Sequence, residues 1–283
     1  MYKKTRRLMA LELALSCLLG LLVACSNNDH KNTTGGTEDP VDNTPSLINY
    51  TVIQSLPHDT SSFTEGLLFH DGKLYESTGT EPAMPPDRRS LFGTVDPKTG
   101  RIEKKAELDR NKYFGEGIAF LNNKVYQLTW TTKIGFIYDA KTFSKLGQFN
   151  IPVKEGWGMT TDGTHLIMSE GSSNISYVDP VSFQVVKTLG VTDNNGPVSN
   201  INELELINGF LYANQWQSNY ILKIDTTSGK VVGRLDLSSL VNAAKTNNPD
   251  ADVLNGIAYD PSSGNIYVTG KLWPYIYAIK FPI

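Results

Sequence analysis

From about Leu47 to the end of the chain, apolar and polar residues alternate in short runs closed by Gly, Asn, Asp and Ser, and no stretch keeps an apolar stripe at helical spacing. The pattern predicts an all-β domain, and the runs repeat. Glu116-Gly-Ile-Ala-Phe-Leu-Asn-Asn-Lys-Val-Tyr126-Gln-Leu-Thr-Trp130 aligns without a gap on Asn202-Glu-Leu-Glu-Leu-Ile-Asn-Gly-Phe-Leu-Tyr212-Ala-Asn-Gln-Trp216. Three more copies begin at Glu65, Trp157 and Asn255, giving a period of roughly 40–50 residues. Each copy continues into a third strand that ends in a polar turn, as at Asp96, Asp139, Asp179 and Asp225, and then into a fourth, as in Lys230–Leu235. Five units of four antiparallel strands predict a five-bladed β-propeller. The fifth copy has too little chain for a fourth strand after Tyr275–Lys280, so Tyr50–Leu56 is expected to close blade five and remove its open edge. One short helix is expected at Leu240–Lys245.

The first strand of a propeller blade lines the central channel, so equivalent positions of the five copies form a ring. One such column holds Glu65, Glu116, Trp157, Asn202 and Asn255; each is followed by Gly except Asn202, which is followed by Glu203. A second column, after the second strand, holds Gly79, Trp130, Gly171, Trp216 and Lys271. Positions that only build the repeat should converge on one residue type, and these diverge. Carboxyl groups, amides, a Lys and three Trp gathered at one channel mouth describe a ligand site with aromatic walls and a few placed polar groups. The irregular segments Glu81–Ser90 and Ser238–Val253 are expected to overhang it.

Charge and composition narrow the chemistry. A net charge of −3 without blocks of one sign argues against a nucleic-acid partner. The four His are scattered, which argues against a His-ligated catalytic zinc, and no metal site is predicted. Ring carboxylates leave room for a structural Ca²⁺ in the channel. Gly115-Glu-Gly117 has Phe120 where a dinucleotide loop needs its third Gly, and no nucleophile elbow is present.

Residues 1–25 combine a basic start, an apolar run and Leu22-Val-Ala-Cys25, which resembles a lipobox. This predicts a lipoprotein signal peptide with Cys25 as the lipidated residue. A flexible tether follows over residues 26–46, poor in apolar side chains, and the propeller domain occupies 47–283. The expected location is the cell envelope, as a periplasmic lipoprotein of the outer membrane. Contact with the membrane would then run through the lipid anchor alone. Loss of Cys17 and acylation of Cys25 leave no thiol for a disulfide.

Phe63-Thr-Glu-Gly-Leu67, Phe114-Gly-Glu-Gly-Ile-Ala119, Leu128-Thr-Trp130, Glu155-Gly-Trp-Gly158, Ile201-Asn-Glu-Leu204, Trp216 and Leu254-Asn-Gly-Ile-Ala258 together resemble the plant and bacterial type of glutaminyl-peptide cyclotransferase. The resemblance spans roughly Tyr50 to Ile283 and implies a five-bladed propeller. It also implies conversion of an N-terminal Gln of peptides or proteins to pyroglutamate, with release of ammonia and without a required cofactor. By motif position it implies catalytic roles for Glu116, Asn202 and Lys271. Substrate contacts are implied for Phe63, Glu65, Trp130, Trp157, Trp216 and Asn255. Glu65 departs from the Gln that the family is expected to carry there. The mechanism expected from the residues has Glu116 receiving the substrate ammonium and moving its proton, with Asn202 and Lys271 donating to the developing oxyanion. A monomer is expected. Two other readings of the same ring are a non-catalytic propeller that binds a peptide or glycan and a metal-dependent, lactonase-like propeller.

Overall fold

A computed structural model describes residues 44–283. The signal segment, Cys25 and the tether as far as residue 43 lie outside the described residues. Five four-stranded antiparallel sheets surround one axis. Blade one comprises Thr64–His70, Lys73–Thr78, Leu91–Val95 and Ile102–Glu107, and blade two Gly115–Leu121, Lys124–Thr129, Ile134–Asp139 and Lys145–Asn150. Blade three comprises Met159–Thr161, Leu166–Ser169, Asn174–Val178 and Val185–Gly190, and blade four Ile201–Ile207, Phe210–Gln215, Tyr220–Asp225 and Val231–Asp236. Blade five supplies Leu254–Asp260, Asn265–Gly270 and Tyr275–Lys280, and its outer strand is Thr51–Pro57, antiparallel to Tyr275–Lys280. The N-terminal strand therefore closes the ring as its alternation predicts. Ser46–Leu47 adds a parallel strand outside blade four, Ser46 pairing with Gly233, at the point where the tether was expected to end. The helix runs from Ser238 to Asn247 and buries Leu240, Val241 and Ala244.

The Asp residues that end the third strands act as turn formers. Asp96, Asp139, Asp179 and Asp225 each accept a hydrogen bond from the backbone N–H two residues on, at 2.9–3.1 Å. Their carboxyls are held below the usual range by those N–H donors and by neighbouring hydroxyls.

The core is divided into five apolar clusters, one at each interface between neighbouring blades. The largest joins blades four and five and takes in the helix and the fully buried Trp273. The smallest, Leu67, Leu74, Val95, Ala258 and Ile276, lies between blades five and one, where the chain closes. There a buried ion pair supplements it. His58 places Nε2 3.0 Å from Glu76 Oε1, while its Nδ1 lies 2.8 Å from the Trp273 carbonyl. Both ring nitrogens face acceptors, so both carry protons. Burial alone would lower the imidazole's pKa, and Glu76 outweighs it, so the net shift is upward.

Around the axis the inner strands nearly touch. A Cβ on Gly66 would lie 3.1 Å from Gly117 Cα, one on Gly117 2.7 Å from the Trp157 carbonyl oxygen, and one on Gly158 2.2 Å from that of Asn202. This is why Gly follows the ring residue in four blades. Blade four breaks the rule with Glu203. Its buried carboxyl reaches across the axis to accept the N–H of Ile257 in blade five at 2.8 Å and of Leu67 in blade one at 3.2 Å. One turn of pleat further on, Glu205 accepts the Tyr259 N–H at 2.9 Å.

Candidate active site

Four inner strands carry a β-bulge at the ring position, between Thr64 and Gly66, Gly115 and Ile118, Ile201 and Leu204, and Leu254 and Ile257. A bulge re-aims the side chain it contains. In this way Glu65, Glu116 and Asn202 turn toward the channel mouth. Second-strand side chains of the preceding blade fix the backbone behind them: Ser77 Oγ donates to the Glu116 carbonyl at 2.6 Å and Ser169 Oγ to the Asn202 carbonyl at 2.7 Å.

The mouth is a cavity of about 280 Å³. Eight of the residues singled out in the sequence line it: Phe63, Glu65, Glu116, Trp130, Trp157, Asn202, Trp216 and Lys271. The ninth, Asn255, is fully buried behind Glu65, donating from Nδ2 to the Thr64 carbonyl at 2.9 Å and to Glu65 Oε2 at 3.3 Å. Glu81 and Met84 from one overhanging segment and Asp252 from the other complete the rim. Arg110 ties the first overhang together, its guanidinium donating to the carbonyls of Glu81 and Met84 at 2.8 and 2.9 Å.

Two aromatic side chains explain the glycines of the second column. A Cβ on Gly79 would fall 2.0 Å from the Phe114 ring, and one on Gly171 2.6 Å from the Trp157 ring. Those columns are empty so that the rings can lie across them. Phe114 packs edge-on against both Phe63 and Trp130, and Trp157 edge-on against Trp216. Phe114 and Glu155 were not expected to take part. Glu155 Oε2 accepts the indole N–H of Trp130 at 2.8 Å and of Trp157 at 2.9 Å, so one carboxylate orients two walls. The repeat contained a signal for both: Phe63, Phe114 and Glu155 each stand two residues before the ring position of their blade.

The polar side of the cavity is built on Glu65. Lys271 Nζ lies 2.7 Å from its Oε1 and 4.6 Å from the centre of the Phe63 ring. Burial raises Glu65 and Lys271 opposes, leaving it at about 7. Glu116 is pushed well above the carboxylate range by burial first and then by the Glu65 charge. Asn202 is 3% exposed and lines the cavity, while its Oδ1 is buried without a partner. Among the described residues no three His, Cys, Asp or Glu side chains are grouped to hold a metal ion, and the axial carboxyls of Glu203 and Glu205 are engaged by backbone N–H groups.

Residues 17–281 match the family model described as glutamine cyclotransferase. The chain belongs to the glutamine cyclotransferase family. It is 40% identical over 231 residues to a glutaminyl-peptide cyclotransferase of Arabidopsis thaliana, covering 81% of this chain and 70% of that protein. The crystal structure of Myxococcus xanthus glutaminyl cyclase superposes with a TM-score of 0.74 at 34% identity, covering 84% of this chain and 98% of that one. The chain is accordingly an acyl-transferring enzyme, and the cavity is where this family member brings its carboxyl, amide and ammonium groups together.

Proposed function

We propose that this glutamine cyclotransferase converts the N-terminal Gln of peptides or proteins to pyroglutamate, releasing ammonia, by acid–base chemistry that needs no metal. The observation that carries the reading is the convergence of Glu116, Asn202 and Lys271, from blades two, four and five, on one small cavity walled by Phe63, Phe114, Trp130, Trp157 and Trp216. Cyclisation requires the α-amine to attack the side-chain amide carbon of its own residue. An α-amino group ionises near ~7.7–8.0, so a usable fraction is free base at neutral pH. As the new C–N bond forms, negative charge collects on the amide oxygen. Lys271 has ammonium protons beyond the one given to Glu65 and can donate to that oxygen, a contribution of about 3–4 kcal/mol for a well-placed donor. Asn202 lines the same cavity and donates from its amide N–H to that oxygen.

Glu116 gives its proton to the amide nitrogen, the old C–N bond breaks and ammonia departs, and the ring nitrogen returns its surplus proton to Glu116. Atoms and charge balance over the cycle. The indole walls press the flexible side chain toward the ring conformer and keep out water, which would otherwise hydrolyse the amide. Incubation with a Gln-leading dipeptide, with and without chelator, tests the reading by ammonia release and by a pyroglutamyl product. Ammonia lost only with chelator would make the reaction metal-dependent; peptide binding without any ammonia would make the cavity a binding site.

A further inference from the structure

Glu65 and Glu116 stand at equivalent positions of adjacent inner strands, each in a bulge, and the two strands approach so closely that a Cβ on Gly66 would lie 3.1 Å from Gly117 Cα. Their side chains line the same cavity, 2% and 5% exposed. Two carboxyls forced side by side without water cannot both ionise. Lys271 decides between them, because its ammonium lies 2.7 Å from Glu65, and Asn255 adds a second donor to the other Glu65 oxygen. No comparable donor is directed at Glu116. The further charges facing the pair are Glu155 and Asp252, both negative; Glu81 on the rim; and Arg88, 6.0 Å above the Phe63 ring.

We infer that Glu65 is a positioning residue of the catalytic centre: its carboxylate occupies Lys271 and obliges Glu116 to keep its proton, so that Glu116 enters the reaction as an acid. The inference rests on the cyclisation reading above and concerns which of two carboxyls is charged when substrate arrives. With Glu65 neutralised, Glu116 loses a repelling neighbour and gains Lys271 as a partner, and both changes favour its ionised form. The neighbouring charge, not the shape of residue 65, is therefore the operative feature.

The test is the pH dependence of kcat for ammonia release from a Gln-Ala dipeptide, full chain against Glu65→Gln. The variant's profile should move toward acid by at least about one pH unit, with KM changed less than about threefold. Superimposable profiles would overturn the inference while leaving the cyclisation reading intact. Wild-type protein that releases no ammonia at any pH would overturn that reading instead. If Glu65→Gln does not fold, infrared difference spectra of wild type against Glu116→Gln decide without turnover. Loss of a protonated-carboxyl C=O band at neutral pH in the variant supports the assignment, and no difference there refutes it.

Discussion

Replacing Glu203 by Gly would give all five blades the same residue after the ring position, and on repeat statistics alone it should be harmless. The structure argues the opposite. Glu203 accepts the N–H groups of Ile257 and Leu67, and both residues are buried. Each orphaned buried donor costs about 1–3 kcal/mol, so the pair costs about 2–6 kcal/mol. Glycine adds about 0.5–1 kcal/mol of backbone entropy. Against this stands relief from burying a carboxyl whose pKa burial and the nearby Glu205 push well above 4.5. A folded-state pKa above the unfolded value means the associated stability is complete below about pH 4.5 and declines as pH rises toward the folded value. Removing Glu203 should therefore cost most near pH 5, about 3–5 kcal/mol, and less at pH 8. Guanidinium unfolding at the two pH values measures both; at about 2–4 °C per kcal/mol the melting temperature should fall by about 6–20 °C near pH 5. Glu203→Gln keeps one acceptor oxygen and should lose about half as much. A Glu203→Gly protein as stable as wild type at pH 5, or one that loses more at pH 8 than at pH 5, would refute the reasoning.

Glu116→Gln keeps the shape of the side chain and removes its transferable proton, so kcat for ammonia release should drop at least about 100-fold with the fold intact by circular dichroism. Glu155→Ala frees two indoles at once, and steady-state kinetics should show KM rising about tenfold, corresponding to about 1.4 kcal/mol of lost wall orientation, with a smaller change in kcat. His58→Ala strands the buried Glu76 charge and should cost about 3–5 kcal/mol in chemical unfolding. Because the His58 pKa is raised, the wild type's advantage over that variant should be complete below about pH 6.5 and shrink as pH climbs through the raised value.

The blade count, the closing strand and seven of the eight cavity-lining residues were legible because a propeller converts sequence period into angular position; Phe63 came from the family resemblance. Any residue at a ring position must face the axis, whatever its type. What the sequence could not convey was depth. Asn255 and Asn202 occupy the same column, yet the glycine after Asn255 adopts φ +120° and Asn255 sinks behind Glu65, whereas Asn202 reaches the cavity. Glu155 and Phe114 stand two residues before the ring position, outside the two columns that the period sets around the axis. His58 and Glu76 lie 18 residues apart with no pattern linking them, and only the closure of blade five onto blade one brings them together.

That closure and the candidate site share residues. Blades five and one meet over the smallest apolar cluster, so their interface depends on polar contacts more than the other four do. Thr64 donates its hydroxyl to Glu76 at 2.7 Å, and its carbonyl accepts Asn255. The next residue, Glu65, takes Lys271. Three consecutive positions, Phe63 to Glu65, thus hold a wall of the cavity, the link to the closing ion pair and the counter-charge of the Lys271 ammonium. An apolar seam could have closed the ring as well, but it could not have held a lysine and two carboxyls dry and close enough to divide one proton between them.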